Sequence, residues 1–180
     1  MMASPRRRWL RLAAAAGVGA AAGGAGLWWR TATEQQLHER TGNLWLSRFE
    51  TPTGSELAMP SLRGRPLVLN FWGTWCPPCV KEMPELDRFA REFGPRGWSV
   101  VGLAIDNAKA VREFLQRTPV SYPIGMAGFA GSELARALGN TQGGLPFTVV
   151  FGASGDIVET KMGETHFGEL AAWAQRIGTS

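Results

Sequence analysis

Apolar residues along this chain follow two rhythms that alternate. Leu67-Val68-Leu69-Asn70-Phe71-Trp72 is a nearly continuous apolar run behind the turn residues Arg63-Gly64-Arg65-Pro66, the pattern of a strand buried on both faces of a parallel sheet. From Pro78 through Phe93, the positions Val80, Met83, Leu86, Phe89, Ala90 and Phe93 recur at spacings of three and four, which predicts an amphipathic helix closed by Gly94-Pro95. Trp98 to Ile105 repeats the strand pattern and Ala108 to Arg117 the helical one. Val120 to Ile124 is a short extended piece, Ser132 to Leu138 a short helix, and Gly139 to Gly144 a loop. Phe147 to Phe151 and Ile157 to Lys161 predict a hairpin around Ala153-Ser154-Gly155-Asp156. A last helix runs from about Phe167 to Ile177, with Thr165 as candidate cap. Ahead of these, Leu44 to Phe49 alternates like a strand and turns at Thr51-Pro52-Thr53-Gly54 into Glu56-Leu57-Ala58, an N-terminal hairpin. Strands and helices alternate before a closing hairpin, so the fold class is α/β with a central mixed β-sheet flanked by helices.

The start of the chain follows another pattern. Arg6, Arg7, Arg8 and Arg11 occur with no acid, and Leu12 to Trp29 is then free of charge. Residues 1–30 are therefore expected to be an export signal or a membrane anchor, outside the fold. Arg6-Arg7-Arg8-Trp9-Leu10-Arg11 resembles a twin-arginine export signal, with Sec export as the alternative. The Gly- and Ala-rich run is short beside the about 20 apolar residues of a bilayer-crossing helix. Against cleavage, no clean small-x-small site precedes Thr31, and Trp28-Trp29 suits an aromatic anchor at the interface. The expectation is an uncleaved anchor in the inner membrane, with a cleaved signal as its alternative. Arginines retained in the cytoplasm send the rest of the chain outward, into an oxidising periplasm or its equivalent.

Charge changes little. The net +4 of the 180 residues owes four positive charges to Arg6, Arg7, Arg8 and Arg11, and from position 31 onward the chain is near neutral, so no nucleic-acid partner is expected. Residues 31–43 are polar and form either a linker or a short amphipathic helix; residues 44–180 make one domain.

Candidate chemistry lies where the first strand meets the first long helix. The chain's 2 cysteines, Cys76 and Cys79, stand in Trp75-Cys76-Pro77-Pro78-Cys79. Two intervening residues at a helix start bring both sulfurs within disulfide distance and leave the first at the exposed N-terminus, so Cys76 attacks and Cys79 resolves. A disulfide closing so short a loop gains little stability, which argues against a structural role. Unpaired N–H groups at the helix start stabilise a thiolate and lower its pKa from about 8.5. Pro77 and Pro78 carry no N–H, leaving the Cys79 amide as nearest donor, so acidification is expected to be moderate, not below about 4.5. Glu82 shares a helix face with Cys79 and could take its proton; as a plain alternative, it is a solvated carboxylate near a helix start. Zinc ligation would need nitrogen from His38 or His166, neither near the pair in sequence, and haem attachment would need a histidine where Val80 stands, so no metal is expected.

A strand, then Trp-Cys-Pro-Pro-Cys, a helix opening Val80-Lys81-Glu82-Met83-Pro84, and Gly144-Leu145-Pro146-Phe147 before the later hairpin together resemble thioredoxin-like proteins. More narrowly they resemble the membrane-anchored TlpA/ResA type of periplasmic thiol-disulfide oxidoreductase, over about Leu44 to the C-terminus. The resemblance implies a thioredoxin-like fold with the N-terminal hairpin and a strand-helix insertion within about Asp106 to Gly144. It implies that Pro146 is cis and packs against the disulfide, with Leu145 pairing its backbone with an extended substrate. Thioredoxin's buried Asp is replaced here by Asn70, which cannot titrate, and the family's Glu at Glu82 takes over. Trp75 is a candidate platform for a partner, whereas Trp72 fits the core.

The resemblance implies a reductase that needs no cofactor, acts on disulfides of substrate proteins and is fed by a DsbD- or CcdA-type membrane donor. Apocytochrome c haem-site cysteines are the family's best known target. Two alternatives stand beside it. A thiol-dependent peroxidase with an antioxidant role would carry Thr or Ser three residues before its reactive cysteine, where this chain has Gly73. A copper-delivery protein on the same scaffold would use Cys-x-x-x-Cys with a distant His. Asp106 is assigned no chemistry beyond capping the following helix, and His166 caps or solvates the start of the last one.

Overall fold

The computed structural model describes Thr41 and residues 43–178. The anchor or signal expected over residues 1–30 and nearly all of the linker lie outside the described residues. Among the described residues no helix is long and apolar enough to cross a membrane.

The strands are β1 (Arg48–Glu50), β2 (Glu56–Ala58), β3 (Leu67–Trp72), β4 (Ser99–Ala104), β5 (Ile124–Met126), β6 (Phe147–Phe151) and β7 (Ile157–Met162). The helices are α1 (Pro77–Phe93), α2 (Ala108–Arg117), α3 (Gly131–Ala137) and α4 (Phe167–Ile177). They build one mixed seven-stranded sheet in the order β2-β1-β5-β4-β3-β6-β7. β3, β4 and β5 are parallel, and β6 and β7 return antiparallel beside β3.

All six residues of β3 are buried because both faces of the sheet are covered. Val68 and Trp72 point to the layer of α1, α2 and α4, while Leu67, Leu69 and Phe71 point to the opposite layer with Trp45, Met59 and Leu138. Met83, Leu86 and Phe89 carry the apolar stripe of α1 into the first layer with no exposed surface. Each such side chain contributes roughly 1.5–3 kcal/mol on burial, which anchors the helix that carries the cysteines.

Three expectations shift. Residues 43–46 are helical, and the strand begins only at Arg48. Leu44 and Trp45 are both buried in the same layer, and the Trp45 indole donates to the Gly155 carbonyl at 3.0 Å. A strand would send two successive side chains to opposite faces. The extended piece at Val120 to Ile124 becomes a strand only from Ile124. Ser121 is drawn to α1, its N–H and hydroxyl donating to Asp87 at 2.5 and 2.7 Å, and Pro123 has no N–H for a ladder. The cap of α4 is His166, whose N–H donates to Glu169 at 3.0 Å, because Thr165 is turned into the core. The insertion between β4 and β6 comprises α2, β5 and α3, and the N-terminal hairpin pairs Arg48 with Ala58 and Glu50 with Glu56.

Candidate active site

Cys76 is the cap residue of α1, with extended backbone (φ −107°, ψ 98°), and Pro77 and Pro78 occupy the first helical turn, where a missing N–H costs nothing. Cys76 and Cys79 form a disulfide of 2.04 Å, with Cα atoms 5.3 Å apart. The Cys79 N–H donates to the Cys76 sulfur at 3.3 Å, the one backbone donor that the two prolines leave within the first turn. Cys76 is less open than its place at a helix start suggests: 4% of its surface is exposed against none of Cys79, and Pro77 and Pro78 form the outer surface instead. Trp75 folds beside them, its indole N–H donating to the Ile105 carbonyl at 3.2 Å, yet it stays 62% exposed. Trp72 is fully buried in the core.

Glu82 lies one helical turn beyond Cys79 and is fully buried. One carboxylate oxygen accepts from the Asn70 amide at 2.7 Å and the other from the Thr165 N–H at 2.7 Å. Asn70 also donates to the Thr148 hydroxyl at 3.1 Å, which lies 3.2 Å from the Thr165 hydroxyl. Burial pushes the Glu82 carboxyl from 4.5 up to about 7, against the lowering effect of the Thr165 and Asn70 donors, and nearby Glu164 raises it further. A carboxyl so placed holds both protonation states near neutral pH, as proton transfer requires. The alternative of a solvated carboxylate is corrected by this burial.

Leu145 and Pro146 enter the same region through the sheet. Phe71 of β3 lies opposite Phe147 of β6, so Pro146 reaches the end of β3 where the cysteine loop departs. The Leu145–Pro146 bond is cis. Asn140 fixes the approach, donating to the Gly144 carbonyl and accepting from the Gly143 N–H, each at 2.8 Å.

Asp106 is not the cap expected of it. Asn107 is the cap of α2, accepting from Ala110 at 2.9 Å, while one Asp106 oxygen accepts from the Thr74 N–H at 2.9 Å and from its hydroxyl at 2.6 Å. It thus ties down the loop that presents Cys76. Asp106→Ala is expected to cost about 1–3 kcal/mol in denaturant unfolding, because two part-buried donors lose their acceptor. Asp106→Asn, which retains one acceptor oxygen, costs less; equal stability of the alanine variant and wild type would contradict this brace. The Thr148 and Thr165 contacts were also unassigned from sequence. The usable signal was Asn70 itself, since a lone amide inside an apolar strand requires a buried polar partner.

Among the described residues no three metal-ligating side chains come together. His166 lies 3.8 Å from Glu164, which in turn is paired with Lys81 at 2.8 Å. Gly73 lies under the Trp75 indole, so that a Cβ there would stand 2.7 Å from the ring nitrogen. A threonine at this position would displace the tryptophan.

Residues 47–172 match the Redoxin family. The thiol-disulfide oxidoreductase ResA of a Bacillus cereus strain is 29% identical over 145 residues, 80% of each chain. A thiol:disulfide interchange protein of the thioredoxin family from Chlorobium tepidum TLS superimposes with a TM-score of 0.64 at 28% identity, covering 73% of this chain and 92% of that one. A thioredoxin-related protein from Neisseria meningitidis serogroup B does so at 0.63 and 32% identity, over 71% and 95% of the two chains. With its Cys76–Cys79 disulfide at the start of α1, this chain belongs to the Redoxin family as a thioredoxin-like thiol-disulfide oxidoreductase.

Proposed function

We propose that the protein works as a reductant of disulfides in exported proteins. In the reduced protein the Cys76 thiolate attacks one sulfur of a substrate disulfide. The substrate's S–S bond breaks, its other sulfur leaves and takes up a proton, and Cys76 is joined to the substrate. The Cys79 thiol passes its proton to the Glu82 carboxylate and attacks the Cys76 sulfur, which releases the second substrate thiolate. The substrate has gained two electrons, and the protein is left with the disulfide described above. Leu145, ahead of Pro146, pairs with the substrate backbone, and Trp75 supplies an apolar contact.

The observation that carries the direction is that, among the described residues, one amide reaches the Cys76 sulfur. Strong oxidants in this fold owe their potential to a heavily stabilised thiolate in the reduced form. Pro77 and Pro78 withhold the donors that would supply that stabilisation. Equilibration with glutathione is expected to give a potential of about −200 mV or lower, whereas a value near −120 mV would make the protein an oxidase.

The leader supports a periplasmic setting: its arginines remain inside, residues 1–30 serve as an uncleaved anchor and residues 31–43 as the linker. An oxidising compartment then requires a supply of electrons across the membrane, which a DsbD- or CcdA-type donor provides by the same exchange. The haem-site cysteines of apocytochrome c are the target class that the family resemblance implies.

A further inference from the structure

Phe129 is 85% exposed, more than any other large hydrophobic side chain among the described residues. A single exposed aromatic is ordinary, but the position of this one is not. It follows β5, and its loop is tied to the end of β4: the Ala127 and Gly128 N–H groups both donate to the Ala104 carbonyl, at 3.0 and 3.1 Å. The next carbonyl, that of Ile105, holds the Trp75 indole. The two exposed aromatics are thus fastened to successive residues at the end of β4, and Ala104 there pairs with Trp72 of the parallel strand β3, from which the redox loop departs.

The Phe129 perch is built. Gly131 N–H donates to the Ala127 and Gly128 carbonyls, both at 3.1 Å, and the Ser132 N–H to that of Phe129 at 3.2 Å. A Cβ on Gly131 would fall 2.6 Å from Ala127 and 3.0 Å from the Ile105 side chain, so glycine lets the loop close down on β4. Residues 127–132 and the loop 139–145 that leads to Pro146 carry no charge of their own, and the Arg136 guanidinium beside Gly143 is paired with Glu133 at 2.8 Å. Charged ends of a small disulfide such as glutathione find no unpaired charge on these segments, whereas a large apolar side chain meets the exposed rings of Phe129 and Trp75.

We propose that Phe129 extends the substrate surface beyond Trp75, and that the partner it fits is an extended polypeptide carrying a large apolar side chain beside its disulfide. This rests on the reading that substrate exchange occurs at Cys76, since only then does the occupant lie across this end of the sheet. Phe129 determines specificity and takes no part in bond exchange.

The test uses the full-length reduced protein as wild type, Phe129→Ser and Phe129→Leu. Second-order rates are measured on three substrates: oxidised glutathione, a disulfide peptide flanked by tryptophan and the same peptide flanked by serine. Phe129→Ser is expected to lower the rate on the tryptophan peptide about five- to tenfold, as loss of a partly buried aromatic contact implies. Phe129→Leu retains most of it. Rates on glutathione and the serine peptide, and the redox potential, stay at wild-type values. The proposal is overturned if Phe129→Ser reduces the tryptophan peptide at the wild-type rate, or if all three substrates slow alike. If wild type reduces none of the three, exchange at Cys76 fails and this surface with it.

Discussion

Cys76→Ser is expected to abolish reduction of a substrate disulfide, whereas Cys79→Ser is expected to leave a protein that attacks and cannot release. The two sulfurs differ in access: Cys79 has no exposed surface, and what little the pair shows to an incoming disulfide belongs to Cys76. A serine hydroxyl is not ionised at neutral pH, so Cys76→Ser is expected to lower the rate on the order of 10³-fold or more. Cys79→Ser removes the internal attack and accumulates a mixed disulfide through Cys76, visible by mass spectrometry and reversed by added dithiol. Turnover at the wild-type rate without Cys79 would sink the two-cysteine mechanism. Peroxide consumption surviving the same change would favour the peroxidase alternative, in which one cysteine suffices for the first step.

Glu82→Gln has the next largest effect, and it shows in rate and in stability. Glutamine keeps the shape and an acceptor for Thr165 but cannot take a proton. Resolution of the mixed disulfide is expected to slow about 10²–10⁴-fold, the usual contribution of a positioned proton acceptor. The pH dependence of that step loses its inflection near 7, where the Glu82 carboxyl titrates. An unchanged inflection would assign the proton to another group.

The sign of the stability effect follows from proton binding. Burial raises the Glu82 carboxyl from 4.5 to about 7 in the folded chain. Between those values the folded protein keeps a proton that the unfolded chain has released, so stability falls as pH rises through this window and levels off above it. The full fall is about 3 kcal/mol for a shift of this size. Glu82→Gln flattens this slope in denaturant titrations of the oxidised protein; a slope equal to wild type would mean that Glu82 is not the group responsible.

Asn70 and Glu82 show how far a sequence carries such a site. Buried strands and the long helix were legible because their apolar residues repeat with the period of their own backbone, and α2 runs from Ala108 to Arg117 as its pattern predicts. The redox pair was legible because its chemistry is local, two residues apart at a helix start. Contacts made across the sheet were not. Thr165 looked like a cap because hydroxyl residues commonly precede helices, yet its amide is used by a carboxylate 83 positions earlier. Asp106 looked like a cap because a carboxylate ahead of a helix commonly accepts from its first amides, and it instead braces Thr74, 32 positions away. The first part of the strand expected over Leu44 to Phe49 failed because the alternation seen there cannot reveal that Leu44 and Trp45 enter the same layer.

By itself, then, the sequence determined the strands and helices of the core, the helix-start placement of Cys76 and Cys79 and the lack of amide donors at Pro77 and Pro78, since each depends on neighbours a few residues apart. The tertiary structure alone decided how much of Cys76 is covered, the burial that lifts Glu82 towards neutrality, and the fastening of Trp75 and the Phe129 loop to one end of β4. Those depend on which distant segments the sheet order brings side by side, and periodicity and short-range spacing carry no record of that.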